Sequence, residues 1–228
     1  MNRPTVRIKP RKKLSQRGSV FLILVLIGGL LYTAAFPLYV GYLTWQLQQG
    51  PVILQVLALA QSQTTSCGEA AITMAHNFAH PDDLVSEQMV IEYAAAQGYF
   101  TPGVPPYTSP ANMVRIARHY AQPVDTGSVV SSGQGLTLLI ERLQDGEPVI
   151  IDVLTRLNDP DSEAHFLVVT GVSLDPNRDN AVVIHYNDPL TGRAGSADWA
   201  GETGIWNAWQ NNGDPGGAGW WMVVDVPV

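Results

Sequence analysis

Gln61-Ser62-Gln63-Thr64-Thr65-Ser66-Cys67-Gly68-Glu69-Ala70-Ala71-Ile72-Thr73-Met74-Ala75 carries the only cysteine of a 228-residue chain. A lone thiol cannot close an internal disulfide, so its presence needs another reason. The residues from Gly68 to Ala75 predict a helix, and Thr64, Thr65 and Ser66 are N-cap residue types. The thiol is thus expected at a helix N-terminus, where free backbone N–H groups and the macrodipole favour an anion. A thiolate held there is a good nucleophile at neutral pH. The same residues also allow a buried cysteine that acts as a small hydrophobe. A nucleophile needs a histidine and an Asn or Asp elsewhere in the chain.

Those residues follow downstream. Glu163-Ala164-His165-Phe166-Leu167-Val168-Val169-Thr170-Gly171-Val172 and Ala181-Val182-Val183-Ile184-His185-Tyr186-Asn187-Asp188-Pro189 each contain an apolar, β-branched run that predicts a strand. Leu174 to Asn180 between them is dense in turn residues, so the two strands form an antiparallel hairpin. With the turn centred near Asn177, His165 falls beside Asn187 and Asp188. An imidazole next to a carboxylate or amide is the pair that orients a catalytic base.

The order Cys, His, Asn/Asp resembles papain-like cysteine peptidases. The finer pattern resembles the bacteriocin-processing (double-glycine leader) peptidases and their stand-alone relatives. The residues that carry the likeness are Gln61, Cys67-Gly68, Gly146-Glu147-Pro148-Val149-Ile150, His165-Phe166, Gly171 and Asp188-Pro189-Leu190-Thr191-Gly192. Trp206-Asn207-Ala208-Trp209 before a final strand adds to it. The likeness runs from about residue 50 to the C-terminus, and no single piece is specific without the ordered set. It departs at Ser66, where many members carry Asp. The resemblance implies Cys67 as nucleophile, His165 as base, Asp188 as the residue that orients it, and Gln61 as an oxyanion donor. Asn187 stays open as the rival of Asp188, and Gln63 as the rival of Gln61. The resemblance implies no metal and no organic cofactor.

Charge is divided sharply. Arg3, Arg7, Lys9, Arg11, Lys12, Lys13 and Arg17 stand at the start with no acid among them, and the remaining chain sets six basic residues against all 20 acidic ones. An acidic body argues against a nucleic-acid partner. Ser19 to Trp45 is almost wholly apolar and exceeds the run of about 20 residues that spans a bilayer. The basic cluster marks the cytoplasmic side, and Tyr39, Tyr42 and Trp45 fit an interfacial aromatic belt. A cleaved signal peptide has an apolar core of only about 7–15 residues. The expected organisation is therefore a basic cytoplasmic tail (1–18), a transmembrane signal-anchor (19–45), a tether (46–50) and a papain-like domain (51–228). That places the catalytic body at the outer face of the cell membrane.

Within the body, Val52 to Val56 predicts a strand and Cys67 to His80 the nucleophile helix. Further helices are expected over Asp82–Gln97, Pro110–Tyr120 and Leu136–Gln144. Tyr99–Pro110 holds four prolines and reads as a loop. Strands follow at Val149–Leu154, Phe166–Val172, Ala181–Tyr186 and Trp220–Val226. Helices first and antiparallel strands second predict an α+β domain with two lobes. His76 and His80 share a helix face but lack the Glu of a zinc-protease helix, and two histidines do not make a tetrahedral site. His185 reads as a structural or surface histidine. Asp159, Asp161 and Glu163 form an acidic rim that either is merely solvated or prefers basic peptide residues. Trp199, Trp206, Trp209, Trp220 and Trp221 are expected in the core or the cleft wall.

The reading that follows is a thiol hydrolase acting on a peptide or amide bond. Its rivals are a non-catalytic peptide-binding module on the same fold and a thiol-dependent acyl or γ-glutamyl transferase. In the bacteriocin-processing proteins the peptidase domain is a cytoplasmic part of an ABC transporter. The opposite sidedness expected here means that the leader-peptide substrate is not carried over.

Overall fold

The computed structural model describes residues 41–43, 45–101, 107–121 and 123–224. The apolar run 19–45 lies almost wholly outside the described residues. Among the described residues no helix is long and apolar enough to cross a membrane. Leu43 to Val228 forms one compact unit. Residues 46–49 of the expected tether (46–50) are helical, continuing from Trp45. Leu43 and Leu47 are buried in the core, so the folded unit reaches back further than Pro51.

The elements in chain order are β1 (Val52–Ile53), α1 (Cys67–Ala79), α2 (Glu87–Ala96), α3 (Pro110–Tyr120), β2 (Val124–Ser128), α4 (Ser132–Gln144), β3 (Val149–Leu154), β4 (Ala164–Asp175), β5 (Ala181–Asp188), β6 (Arg193–Asp198), α5 (Ile205–Gln210) and β7 (Trp220–Val224). All strand pairs are antiparallel, in the order β2-β7-β3-β4-β5-β6, with β1 added to β4. The fold is α+β.

Successive side chains of a strand point to opposite faces, and both faces of the central strands are covered. Ile150, Phe166, Val168, Trp220 and Met222 pack with α1, α2 and α3. Val149, Ile151, Val153, Leu167, Val169 and Val223 pack with α4 and α5. The expected division of helices from sheet is thus incomplete, since α4 and α5 close the far face.

α1 is buried almost all round, from Gly68 to His76. Its polar side chains are spent locally. Asn77 binds both the N–H and the C=O of Val85, and His76 Nε2 donates to Asp83 O at 2.8 Å. These bonds hold residues 83–85 out of a helix, which moves the start of α2 from the expected Asp82 to Glu87, capped by Ser86. β1 is shorter than expected, and β2, β6 and α5 were not legible. β2 and β6 are the sheet edges, and their sequences, Val-Asp-Thr-Gly-Ser and Arg-Ala-Gly-Ser-Ala-Asp, lack an apolar alternation. Backbone pairing places them, with a few side-chain contacts such as Thr126 Oγ1 donating to Trp221 O at 2.7 Å.

Candidate active site

Cys67 is the first residue of α1, after the N-cap Ser66. The Ser66 side chain caps nothing. The first N–H groups of a helix have no intrahelical acceptor, so the donors around Cys67 are not covered from that side. Gly68 lets this helix start press on α3 and on β4. A Cβ there would lie 2.6 Å from Met113 Sδ and 3.3 Å from Phe166 Cδ2.

His165 stands next to Phe166 at the start of β4 and is buried. Its Nε2 donates to Asp188 Oδ1 at 2.7 Å. Asp188 ends β5, and its Oδ1 also accepts from Leu190 N at 2.8 Å, a turn that fixes the carboxylate's direction. Asn187 points elsewhere, donating to Val56 O at 2.9 Å. Burial favours the neutral His165 ring, but hydrogen bonds and charge at Asp188 and Cys67 outweigh it and raise its pKa to about 9. Asp188, despite half-burial, is held below the usual carboxylate range by His165. Nε2 is taken by Asp188, so Nδ1 is the ring nitrogen left for the thiol.

Gln61 sits in the loop before Cys67. Its N–H donates to Pro189 O at 2.8 Å, which joins this loop to the Asp188 turn. Its side-chain Nε2 donates to Gln63 O and Thr64 O, both at 2.8 Å, and its Oε1 is buried without a partner. Both amide hydrogens are therefore engaged within the loop. Binding an oxyanion would require one of them to be exchanged. Catalytic hydrogen bonds often tighten only once substrate is bound.

A cleft of about 440 Å³ opens at Cys67. Its charged lining is Asp161, Glu163 and Asp214. Beneath it lies Asp152, wholly buried, with no donor bonded to either oxygen. The carboxyl of Asp214 is within hydrogen-bonding reach of it. Burial, then the charge of Asp214, pushes Asp152 up to about 9, so Asp152 keeps its proton at neutral pH. Burial also raises Asp214, with the neighbouring Asp152 opposing it. A second buried carboxyl, Glu69, accepts from Thr108 Oγ1 at 2.6 Å. Burial is the largest cause of its rise to about 7. Asp152 was discernible as the one charge within Val149-Ile-Ile-Asp-Val-Leu154. Asp214 and Glu69 gave no comparable signal.

Other residues singled out by sequence lie apart from this group. His185 Nε2 pairs with Ser173 Oγ at 2.8 Å. The His76 and His80 rings stack at 4.8 Å. Among the described residues no group of three or more His, Cys, Asp or Glu could hold a metal ion. Trp199, Trp209, Trp220 and Trp221 are buried in the two cores, and Trp206 packs partly buried against one of them.

The model of the Peptidase_C39 like family matches residues 53–215, a span that contains the cysteine, the histidine and the aspartate. The chain belongs to the Peptidase_C39-like family. It is a cysteine peptidase-like hydrolase. No curated protein matches it. The match begins at β1 and ends in the loop after α5, so it takes in the helices on both faces of the sheet.

Proposed function

We propose that this member of the family hydrolyses a peptide or amide bond through Cys67, His165 and Asp188. The observation that carries the reading is the 2.7 Å bond from His165 Nε2 to Asp188 Oδ1. It orients the ring, fixes the tautomer and leaves Nδ1 for the thiol. The Cys67 proton passes to Nδ1, and Asp188 stabilises the imidazolium so formed. The thiolate attacks the carbonyl carbon, and the C=O π pair moves to oxygen. The Cys67 N–H, with Gln61 after exchange of one loop bond, receives that oxyanion. Collapse breaks the C–N bond, and Nδ1–H protonates the leaving amine. Water, deprotonated by His165, then cleaves the thioester and restores the thiol.

This chemistry then lies outside the cytoplasm, anchored by the part of the apolar run 19–45 that precedes Leu43, where the folded unit begins. The support for this placement is the basic cluster before an apolar run of that length. Labelling with a thiol-directed electrophile followed by peptide-library profiling tests the chemistry. Cys67→Ala and His165→Ala should each abolish turnover, and turnover that survives Cys67→Ala refutes the mechanism. For the anchor, a reporter active only outside the cytoplasm and fused after Val228 should be active in the membrane fraction. A soluble, shortened product would mean that the segment is cleaved.

A further inference from the structure

We propose that Glu87 is the positioning residue for the loop that binds the oxyanion, an inference that rests on Cys67 as the nucleophile. Glu87 opens α2, twenty residues beyond the cysteine, and is buried. Both its oxygens accept from the Ser62 N–H, at 3.0 and 2.9 Å. Its Oε1 also accepts from Ser66 Oγ at 2.7 Å. Ser62 follows Gln61 and Ser66 precedes Cys67. One carboxylate thus clamps both ends of the loop whose termini are the two oxyanion donors.

Two further observations fit this role. Hydrogen bonds to a carboxylate are roughly twice as strong as neutral ones, so the clamp is stiffer than a backbone turn would be. It also turns the Ser66 hydroxyl toward Glu87, and α1 is left without a side-chain cap. A serine at an N-cap otherwise occupies one of the first N–H groups of its helix. The clamp keeps those donors available where a developing negative charge would sit. On the opposite side, the Gln61 N–H is tied to Pro189 O. The loop is therefore strung between Glu87 and the turn that carries Asp188.

The test separates a reaction that builds an oxyanion from one that does not. Iodoacetamide alkylates a thiolate by direct displacement of iodide at carbon. With p-nitrophenyl acetate the Cys67 sulfur attacks the ester carbonyl, the π pair moves to oxygen, and collapse expels p-nitrophenolate. Both rates are measured on the native chain, Glu87→Ala, Glu87→Gln and Ser66→Ala. Loosening the donors should slow acylation of Glu87→Ala by roughly 10- to 100-fold, below the 10²–10³ of deleting a donor outright. Alkylation should stay within a few-fold of native. Glu87→Gln, which keeps an acceptor for the Ser62 N–H, should recover part of the acylation rate. Ser66→Ala, which removes one of the clamp's two ends, should fall between native and Glu87→Ala and serves if Glu87→Ala does not fold. Acylation unchanged in the variants, or falling in parallel with alkylation, overturns the clamp. Native protein that alkylates but is never acylated at Cys67 overturns instead the hydrolase reading beneath it.

Discussion

Asn187 and Asp188 are neighbours on one strand, and their side chains leave it in opposite directions. Asn187 is buried against Val56 O, and Asp188 meets His165. Asp188→Ala should therefore lower turnover by orders of magnitude while the fold persists. Asn187→Ala should cost stability and leave turnover largely intact. Paired denaturation and kinetic measurements check this, and the reverse ranking in turnover would make Asn187 the third member. The pH profile adds a second readout. With His165 raised to about 9, the imidazolium is present below that pH and lost as pH rises through it. The alkaline limb of kcat/KM should lie near pH 9 and shift to lower pH in Asp188→Asn, because the carboxylate that holds the proton is gone. A limb that Asp188→Asn does not move would detach that ionisation from His165.

The turn from β5 to β6 is the element that aims Asp188. Gly192 N donates to Asp188 O at 2.8 Å, and Gly192 has φ +65°. A Cβ there would meet Ala60 at 2.6 Å, in the segment leading to Gln61. A left-handed conformation costs a residue with a Cβ roughly 1–2 kcal/mol, and the contact with Ala60 adds to it. Gly192→Ala should lower the denaturation midpoint and reduce turnover together, since one displacement disturbs both Asp188 and the Gln61 loop. A normal midpoint with normal turnover would show that the turn tolerates the side chain. This coupling had no sequence signal, whereas the approach of His165 to the end of β5 had one. The hairpin of β4 and β5 turns at Pro176–Arg178, so a turn placed near Asn177 brings His165 to Asp188. The register shift between Val169 and Gly171 was not foreseeable, because no residue type marks a bulge uniquely.

At the scale of the whole molecule, three buried groups make stability depend on pH in one direction. Asp152 rises from 3.8 to about 9 and Glu69 from 4.5 to about 7, so each keeps a proton that the unfolded chain has lost. His165 rises from 6.5 to about 9 and does the same across that window. Where the folded state binds more protons, stability falls as pH rises. The depressed Asp188 acts oppositely, but its contribution is lost only as pH falls below the ordinary carboxylate range, and His80 and His185, lowered by burial, oppose the trend only below the ordinary histidine range. Thermal midpoints should fall from pH 5 to pH 9, and Asp152→Asn and Glu69→Gln should each flatten the decline. A midpoint that rises over this range would mean that these carboxyls are not proton-holding in the folded state.

Local chemistry decided much of this protein before any fold was known. A short, nearly continuous apolar run marked β3 at its observed bounds, Pro110 at a helix start marked α3, and the residues around Cys67 marked α1. These signals are legible because hydrophobic period and capping act within a few residues. The order of cysteine, histidine and aspartate was legible too, since chain order survives folding. Only the tertiary structure decided how α4 and α5 cover the second face of the sheet, where the edge strands run, and which polar groups meet underground. The meetings of Asp152 with Asp214 and of Glu87 with Ser62 and Ser66 join residues separated by long stretches of chain. The hydrogen bonds of Glu87 and the raised pKa of Asp152 come from burial and from neighbours brought together in space. Neither is a property of residue type, so no local pattern records them.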